Sequence, residues 1–146
     1  MIQTQLLAAL GTGPIIKRFT ITNDDFTAAS TSQNITLMPL PKGSVVQWVR
    51  VKHAQAVAGG GITAATVSVG STAGNATSFT AAFNVFQAVA DGTFQISSSN
   101  PKAITYAEDT MYAQIVTTGG NVNAATAGAI HIDVCYWHIT VPADKL

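Results

Sequence analysis

Residues 44–53 read Ser44-Val45-Val46-Gln47-Trp48-Val49-Arg50-Val51-Lys52-His53. β-Branched and aromatic residues dominate the stretch, and such side chains fit a pleated surface better than a helix. Period-2 alternation sends Val45, Val49 and Val51 to one face and Val46, Trp48, Arg50 and Lys52 to the other. Large apolar groups therefore stand on both faces. The Trp48 face is expected to be covered, either by a second layer of the same chain or by a partner.

On the N-terminal side, residues 15–22 alternate in the same way, with Ile15, Lys17, Phe19 and Ile21 set against Ile16, Arg18 and Thr20. A polar loop from Asn23-Asp24-Asp25 to Ser32 precedes a further strand, Asn34-Ile35-Thr36-Leu37-Met38, that meets Pro39 and Pro41. Proline cannot donate to a ladder, so these two mark a strand end or a sheet edge. On the C-terminal side, residues 62–70 and 111–117 read as strands. A long closing strand over 129–141 alternates Ile130, Ile132, Val134 and Tyr136 with His131, Asp133, Cys135 and Trp137. Only residues 79–90 depart from the pattern: Phe79, Ala82, Phe83, Phe86 and Ala90 have helical spacing, which allows one short core-facing helix or turn there.

Gly60-Gly61-Ile62-Thr63-Ala64-Ala65-Thr66 is echoed by Gly119-Gly120-Asn121-Val122-Asn123-Ala124-Ala125-Thr126, with a strand expected on each side of each copy. Glycine gives the chain positive φ or close backbone approach. Each copy reads as a hairpin connection leading into a strand. Two like corners suggest two related sheets packed face to face. The fold class is therefore all-β, a single-domain, jelly-roll-like β-sandwich over 15–146, preceded by an extended N-terminal arm over 1–14.

Composition narrows the function. The chain has 146 residues, enough for one domain with a substantial core. Charged residues make up 10% of it and the formal net charge is +0, whereas an ordinary soluble domain is about 25% charged. So few charges protect poorly against self-association and favour a surface committed to neighbours. Nucleic acid is not expected as a partner, because the seven Lys and Arg are scattered, with only Arg50 and Lys52 close on one strand face. No apolar run approaches the roughly 20 residues of a membrane span. The opening segment reads poorly as a secretory signal, which with the single cysteine points to synthesis in a reducing cytoplasm.

No catalytic constellation emerges. Hydrolytic chemistry needs a nucleophile, a base and an orienting group together, and the histidines are only His53, His131 and His138. His131, Asp133 and Cys135 share a strand face, but ligands at i, i+2 and i+4 splay about 7 Å apart per step, too far for one ion. Asp24 and Asp25 lack the remaining spacing of a calcium loop and are explained by turn chemistry. Gly59-Gly60-Gly61 has no lysine and opens no helix, so it is no phosphate cradle. Cys135, between Val134 and Tyr136, reads as a small buried hydrophobe. No cofactor, metal or catalytic residue is therefore expected.

Two binding possibilities remain. Trp48, Tyr106, Tyr112, Tyr136 and Trp137 could form a platform on which a glycan stacks, although tryptophans also fill cores and subunit interfaces. The arm carries Leu6, Leu7 and Leu10, which would be ordered most easily against a neighbouring subunit. Leu6, Leu7, Leu10, Trp48 and Arg50 are accordingly the expected subunit-interface residues.

The stretch Val51-Lys52-His53 through Val69-Gly70, then Phe83-Asn84-Val85-Phe86-Gln87-Ala88-Val89-Ala90-Asp91, then Thr118-Gly119-Gly120-Asn121-Val122 and the closing strand, resembles small structural proteins of tailed bacteriophages. The similarity covers roughly residues 45–141 and is nearest to the head decoration, or cement, type. It implies a jelly-roll-like sandwich on the outside of the mature shell, commonly trimeric, that ties neighbouring major capsid subunits together. Similar β modules occur in phage tails, so a tail-associated or glycan-binding module is the alternative that the resemblance leaves open.

Overall fold

A computed structural model describes residues 14–73, 75–86, 94–97 and 108–138, with the backbone alone described at 94–97. Among the described residues eight strands follow in chain order: β1 (Ile15–Thr22), β2 (Ser32–Leu40), β3 (Ser44–Ala58), β4 (Ala64–Ser71), β5 (Phe83–Asn84), β6 (Phe94–Ser97), β7 (Asp109–Thr118) and β8 (Ala127–His138). They form two four-stranded antiparallel sheets. Sheet A has the order β1-β8-β3-β6 and sheet B the order β2-β7-β4-β5. The architecture is a β-sandwich.

The two orders correspond position by position. β1 continues into β2, β7 into β8 and β3 into β4, and in each case the chain leaves one sheet and enters the other. A single antiparallel ribbon is thus folded in half, which is the essence of a jelly roll. Backbone hydrogen bonds carry the ribbon through the fold: Val122 N–H donates to Ser30 C=O at 2.8 Å, Asn123 N–H to Ala28 C=O at 3.0 Å, Thr126 N–H to Ala58 C=O at 2.9 Å and Thr63 N–H to Thr118 C=O at 2.7 Å.

The glycine echo lies at this bend, but its two copies do not close hairpins. Residues 59–63 and 119–126 are corners that pass between sheets, and they pack on each other. Gly119 has φ +86°, and a Cβ there would stand 2.6 Å from the carbonyl oxygen of Gly61. The corner therefore needs glycine both for the left-handed backbone and for the close approach.

The core is the space between the sheets. Sheet A contributes Ile21, Val46, Val49, Val51, Ile130, Ile132, Val134 and Tyr136; sheet B contributes Met38, Leu40, Ala65, Val67, Val69, Met111, Ala113 and Ile115. In β3 the faces differ from simple alternation. The register jumps between Val46 and Trp48, opposite Tyr136 and Cys135, so Gln47 is an extra bulged residue. Val46, not Val45, therefore joins Val49 and Val51 in the core, and Val45 moves to the side of Trp48.

Pro39 lies inside β2, an edge strand, where a missing N–H costs no ladder bond. The helix allowed over 79–90 does not form within 79–86. Val85 N–H donates to Ala65 C=O and Val57 N–H to Val85 C=O, both belonging to flanking strands, and this ties the segment into extended structure with Val85 fully buried. Residues 87–90 lie outside the described residues, as do 1–13 with Leu6, Leu7 and Leu10.

Candidate functional site: the outer face of sheet A

On the side of sheet A turned away from the core, the described side chains come from β1, β8 and β3, whose registers align their outward residues in rows; β6 adds Ile96 opposite Arg50 and Phe94 opposite Lys52. Ile16 faces Cys135, which faces Trp48; Arg18 faces Asp133, which faces Arg50; Thr20 faces His131, which faces Lys52. Val45 and Trp137 pair at the end of the face beyond Trp48. Over β1, β8 and β3, one half of the face is thus apolar and aromatic, and the other is polar and basic.

Asp133 holds the middle row. Its side chain is only 5% exposed, yet it sits outside the core proper. Arg18 donates from Nε to Oδ1 at 2.6 Å and from Nη2 to Oδ2 at 3.0 Å. Arg50 donates from Nε to Oδ2 at 2.9 Å, and its Nη2 also pairs with Oδ2. Two guanidinium forks, one from each flanking strand, therefore clamp one carboxylate, the geometry for which arginine is suited. The hydrogen bonds from Arg18 lower the pKa of Asp133 most; burial opposes them, and Arg50 adds to the lowering. Asp133 is a fixed anion that locks β1, β8 and β3 together.

Its neighbours are occupied as well. Thr20 Oγ1 lies 3.1 Å from His131 Nδ1. The buried Cys135 thiol donates to Gln47 Oε1 at 3.8 Å, and burial pushes its pKa up, opposite to what a nucleophile requires. The row His131, Asp133, Cys135 does share a face, but its carboxylate is committed to two arginines, so it offers no ligand set. Among the described residues no cluster of three His, Cys, Asp or Glu could hold a metal ion. His53 is a core residue whose Nε2 donates to Val85 C=O at 3.1 Å. His138 Nε2 donates to Lys42 C=O at 3.0 Å, far along β8 from His131.

The aromatics expected to form one platform are dispersed. Trp48 and Trp137 lie on the outer face of sheet A, Tyr136 in the core, and Tyr112 on the opposite, outer face of sheet B; Tyr106 is outside the described residues. The indole Nε1 of Trp137 is buried and has no acceptor among the described residues. Asp24 and Asp25 form a turn after β1, with Asp25 accepting the Thr22 N–H at 2.9 Å.

Of the five interface residues named from sequence, Trp48 and Arg50 come together on this face, in adjacent rows. Sequence reasoning missed Arg18 and the central part of Asp133. All three charged residues were visible at outward strand positions, but which strands are neighbours is not written locally.

No protein-family model matches the chain, and no curated protein matches it. Solved structures do. A chain of the cyanophage Pam1 capsid asymmetric unit superposes with a TM-score of 0.59 at 22% identity, covering 88% of this chain and 88% of that one. What this likeness establishes is the fold. A chain of the capsid of Ralstonia phage GP4 gives 0.58 at 22% identity, covering 89% and 87%. A third, from the acidic stable capsid structure of Helicobacter pylori bacteriophage KHP30, gives 0.55 at 16% identity, covering 90% and 92%. The shares are nearly equal in each pair, so the sandwich is matched by chains of nearly its own length.

Proposed function

We propose that this chain is a non-enzymatic structural protein of a phage virion: a head decoration, or cement, protein that binds the outer surface of the capsid, as a homotrimer, and stabilises it. The observation that carries this reading is the joint match of fold and length to chains of three phage capsids. Low charge supports it, as does the outer face of sheet A, whose polar groups hold strands together and are not poised for chemistry. Trp48 and Arg50 on that face, with Leu6, Leu7 and Leu10 of residues 1–14, are read as contact residues with neighbouring subunits.

A cement acts by burying area between neighbours. An interface of standard size buries about 1,600 Å², and repetition over a shell turns modest contacts into strong retention through avidity. The partners are then further copies of this chain and the major capsid protein, and the protein resides on the virion after synthesis in the host cytoplasm. Dispersal of the aromatics over three environments gives a glycan no shared platform. The test is direct: particles assembled without the chain should lose their contents at lower temperature or milder osmotic shock than complete particles. Equal survival of the two would overturn the cement function.

A further inference from the structure

The charges of the described residues are segregated. Their five cations are Lys17, Arg18, Lys42, Arg50 and Lys52, and four of these lie on β1 and β3 of sheet A. Among the described residues the outer face itself carries Arg18, Arg50 and Lys52 and one carboxylate, Asp133, a net charge of +2 for these four. Directly below lies an apolar half. Ile16, on edge strand β1, is 62% exposed, the most exposed large hydrophobic residue described, and Trp48 and Trp137 are half-buried beside it. Bare isoleucine next to clustered charge is what an interface rim and core look like before the partner arrives.

We infer that the outer face of sheet A is the surface that docks onto a carboxylate-bearing protein surface of the particle, with Ile16 and Trp48 entering an apolar contact and Arg18 and Lys52 meeting acidic side chains. This rests on the virion reading and names the face and the chemistry it uses. An acidic protein is favoured over nucleic acid because three cations are described on the face and duplex binding draws on many more. Charge complementarity also favours a partner other than a second copy. Of this chain's five described carboxylates, Asp25 accepts the Thr22 N–H, Asp109 accepts the Ala73 and Thr110 N–H groups at 2.9 and 2.7 Å, and Asp133 is clamped by arginine, which leaves Asp24 and Glu108. Among the described residues a second copy thus has two carboxylates to spare. Charge supplies orientation and on-rate in such a contact, and the buried apolar residues supply retention.

The experiment adds purified full-length chain to particles assembled without it and measures bound copies by co-sedimentation across a salt series. Lys52→Glu and Ile16→Asp, both on the exposed side of the sheet, are each expected to weaken binding at least tenfold. Lys42→Glu, outside sheet A, is expected to bind as the unaltered chain does. Circular dichroism melts of all variants show that each is folded, and light scattering reports their oligomeric state. Binding of the unaltered chain that neither face substitution diminishes would overturn this inference and leave the virion reading intact. Absence of any binding by the unaltered chain would overturn both. A changed oligomeric state in the face variants would assign the face to a second copy, and low-salt binding of duplex DNA that Lys52→Glu abolishes would assign it to nucleic acid; either result overturns the inference.

Discussion

Arg18 and Asp133 are 115 residues apart in the chain and face each other across the β1–β8 ladder, joined by two parallel hydrogen bonds. Arg50 reaches the same carboxylate from β3, so the pair is half of a clamp spanning three strands of sheet A. Asp133→Asn keeps the shape but removes the charge and turns an acceptor into a donor facing donors. Hydrogen bonds to charged groups contribute about 1.5–3 kcal/mol each, so a loss of about 2–3 kcal/mol is expected. For a chain of this size that corresponds to a fall in Tm of roughly 5–10 °C by calorimetry. Arg18→Ala should cost less, because Arg50 still holds Asp133, and a double-mutant cycle of the two should be clearly non-additive.

Stability should fall in acid, and the sign follows from the same clamp. Asp133 has a folded pKa below its ordinary value, chiefly through the hydrogen bonds from Arg18. Asp109 shifts the same way: burial pushes it up, but donors including the Ala73 N–H outweigh burial. A carboxylate with a depressed folded pKa contributes its full stabilisation above its unfolded pKa of about 3.9 and loses it as pH falls toward the folded value. Urea midpoints should therefore be flat near neutrality and decline below about pH 4. In Asp133→Asn the decline should be shallower. An equal decline in both proteins would mean that the clamp does not set the acid limit.

Two glycines of the paired corners, Gly61 in one and Gly119 in the other, should respond differently to the same substitution. Gly61 has φ +76°, but a Cβ there meets nothing nearer than the Gly119 carbonyl oxygen at 3.9 Å. Gly61→Ala thus carries only the backbone cost of a left-handed residue, about 1–2 kcal/mol. Gly119 adds contact with backbone at 2.6 Å and with Thr63 Oγ1 at 2.9 Å. Gly119→Ala should cost about 3 kcal/mol or more, since the obstruction is the ribbon bend itself. Denaturant unfolding of the two variants checks the ranking.

What was legible in sequence depended on how local its cause is. Alternation over residues 15–22 and 129–136 placed strands and sorted their side chains into the two faces that the β1–β8 register shows, because the two-residue period is a property of the strand alone. The paired glycine motifs identified two corners, yet not that the corners cross between sheets, since a tight turn and a crossover ask the same of glycine. Helical spacing at Phe79, Ala82 and Phe83 was outweighed by backbone partners on Ala65 and Val57, which lie elsewhere in the chain. Asp133 was read only as one member of the row His131, Asp133 and Cys135. Its purpose became visible only with the order β1-β8-β3, which brings arginines from two distant segments to either side of it.

Gln47 gives the sharpest test of how the site face is set. Upstream of it Val46 points into the core opposite Tyr136, and downstream Trp48 points outward opposite Cys135; both orientations are possible only because Gln47 is an uncounted residue in the ladder. Deleting Gln47 would remove only the uncounted residue: Val46 and Trp48 become consecutive in a regular ladder, Val46 still inward opposite Tyr136 and Trp48 still outward opposite Cys135. The Val45–Trp137 and Val46–Tyr136 registers are kept as well, so no side chain changes face. Gln47→Ala keeps the bulge and loses only a weak acceptor for the Cys135 thiol, so it should change stability by less than about 1 kcal/mol. The deletion should also fold, with the Cys135 thiol as slow to alkylate in the folded protein as it is in Gln47→Ala. Faster alkylation in the deletion variant would mean that one half of β3 has turned over, which a one-residue slip does to every side chain it moves, and that Gln47 is not the residue that sets the faces of β3.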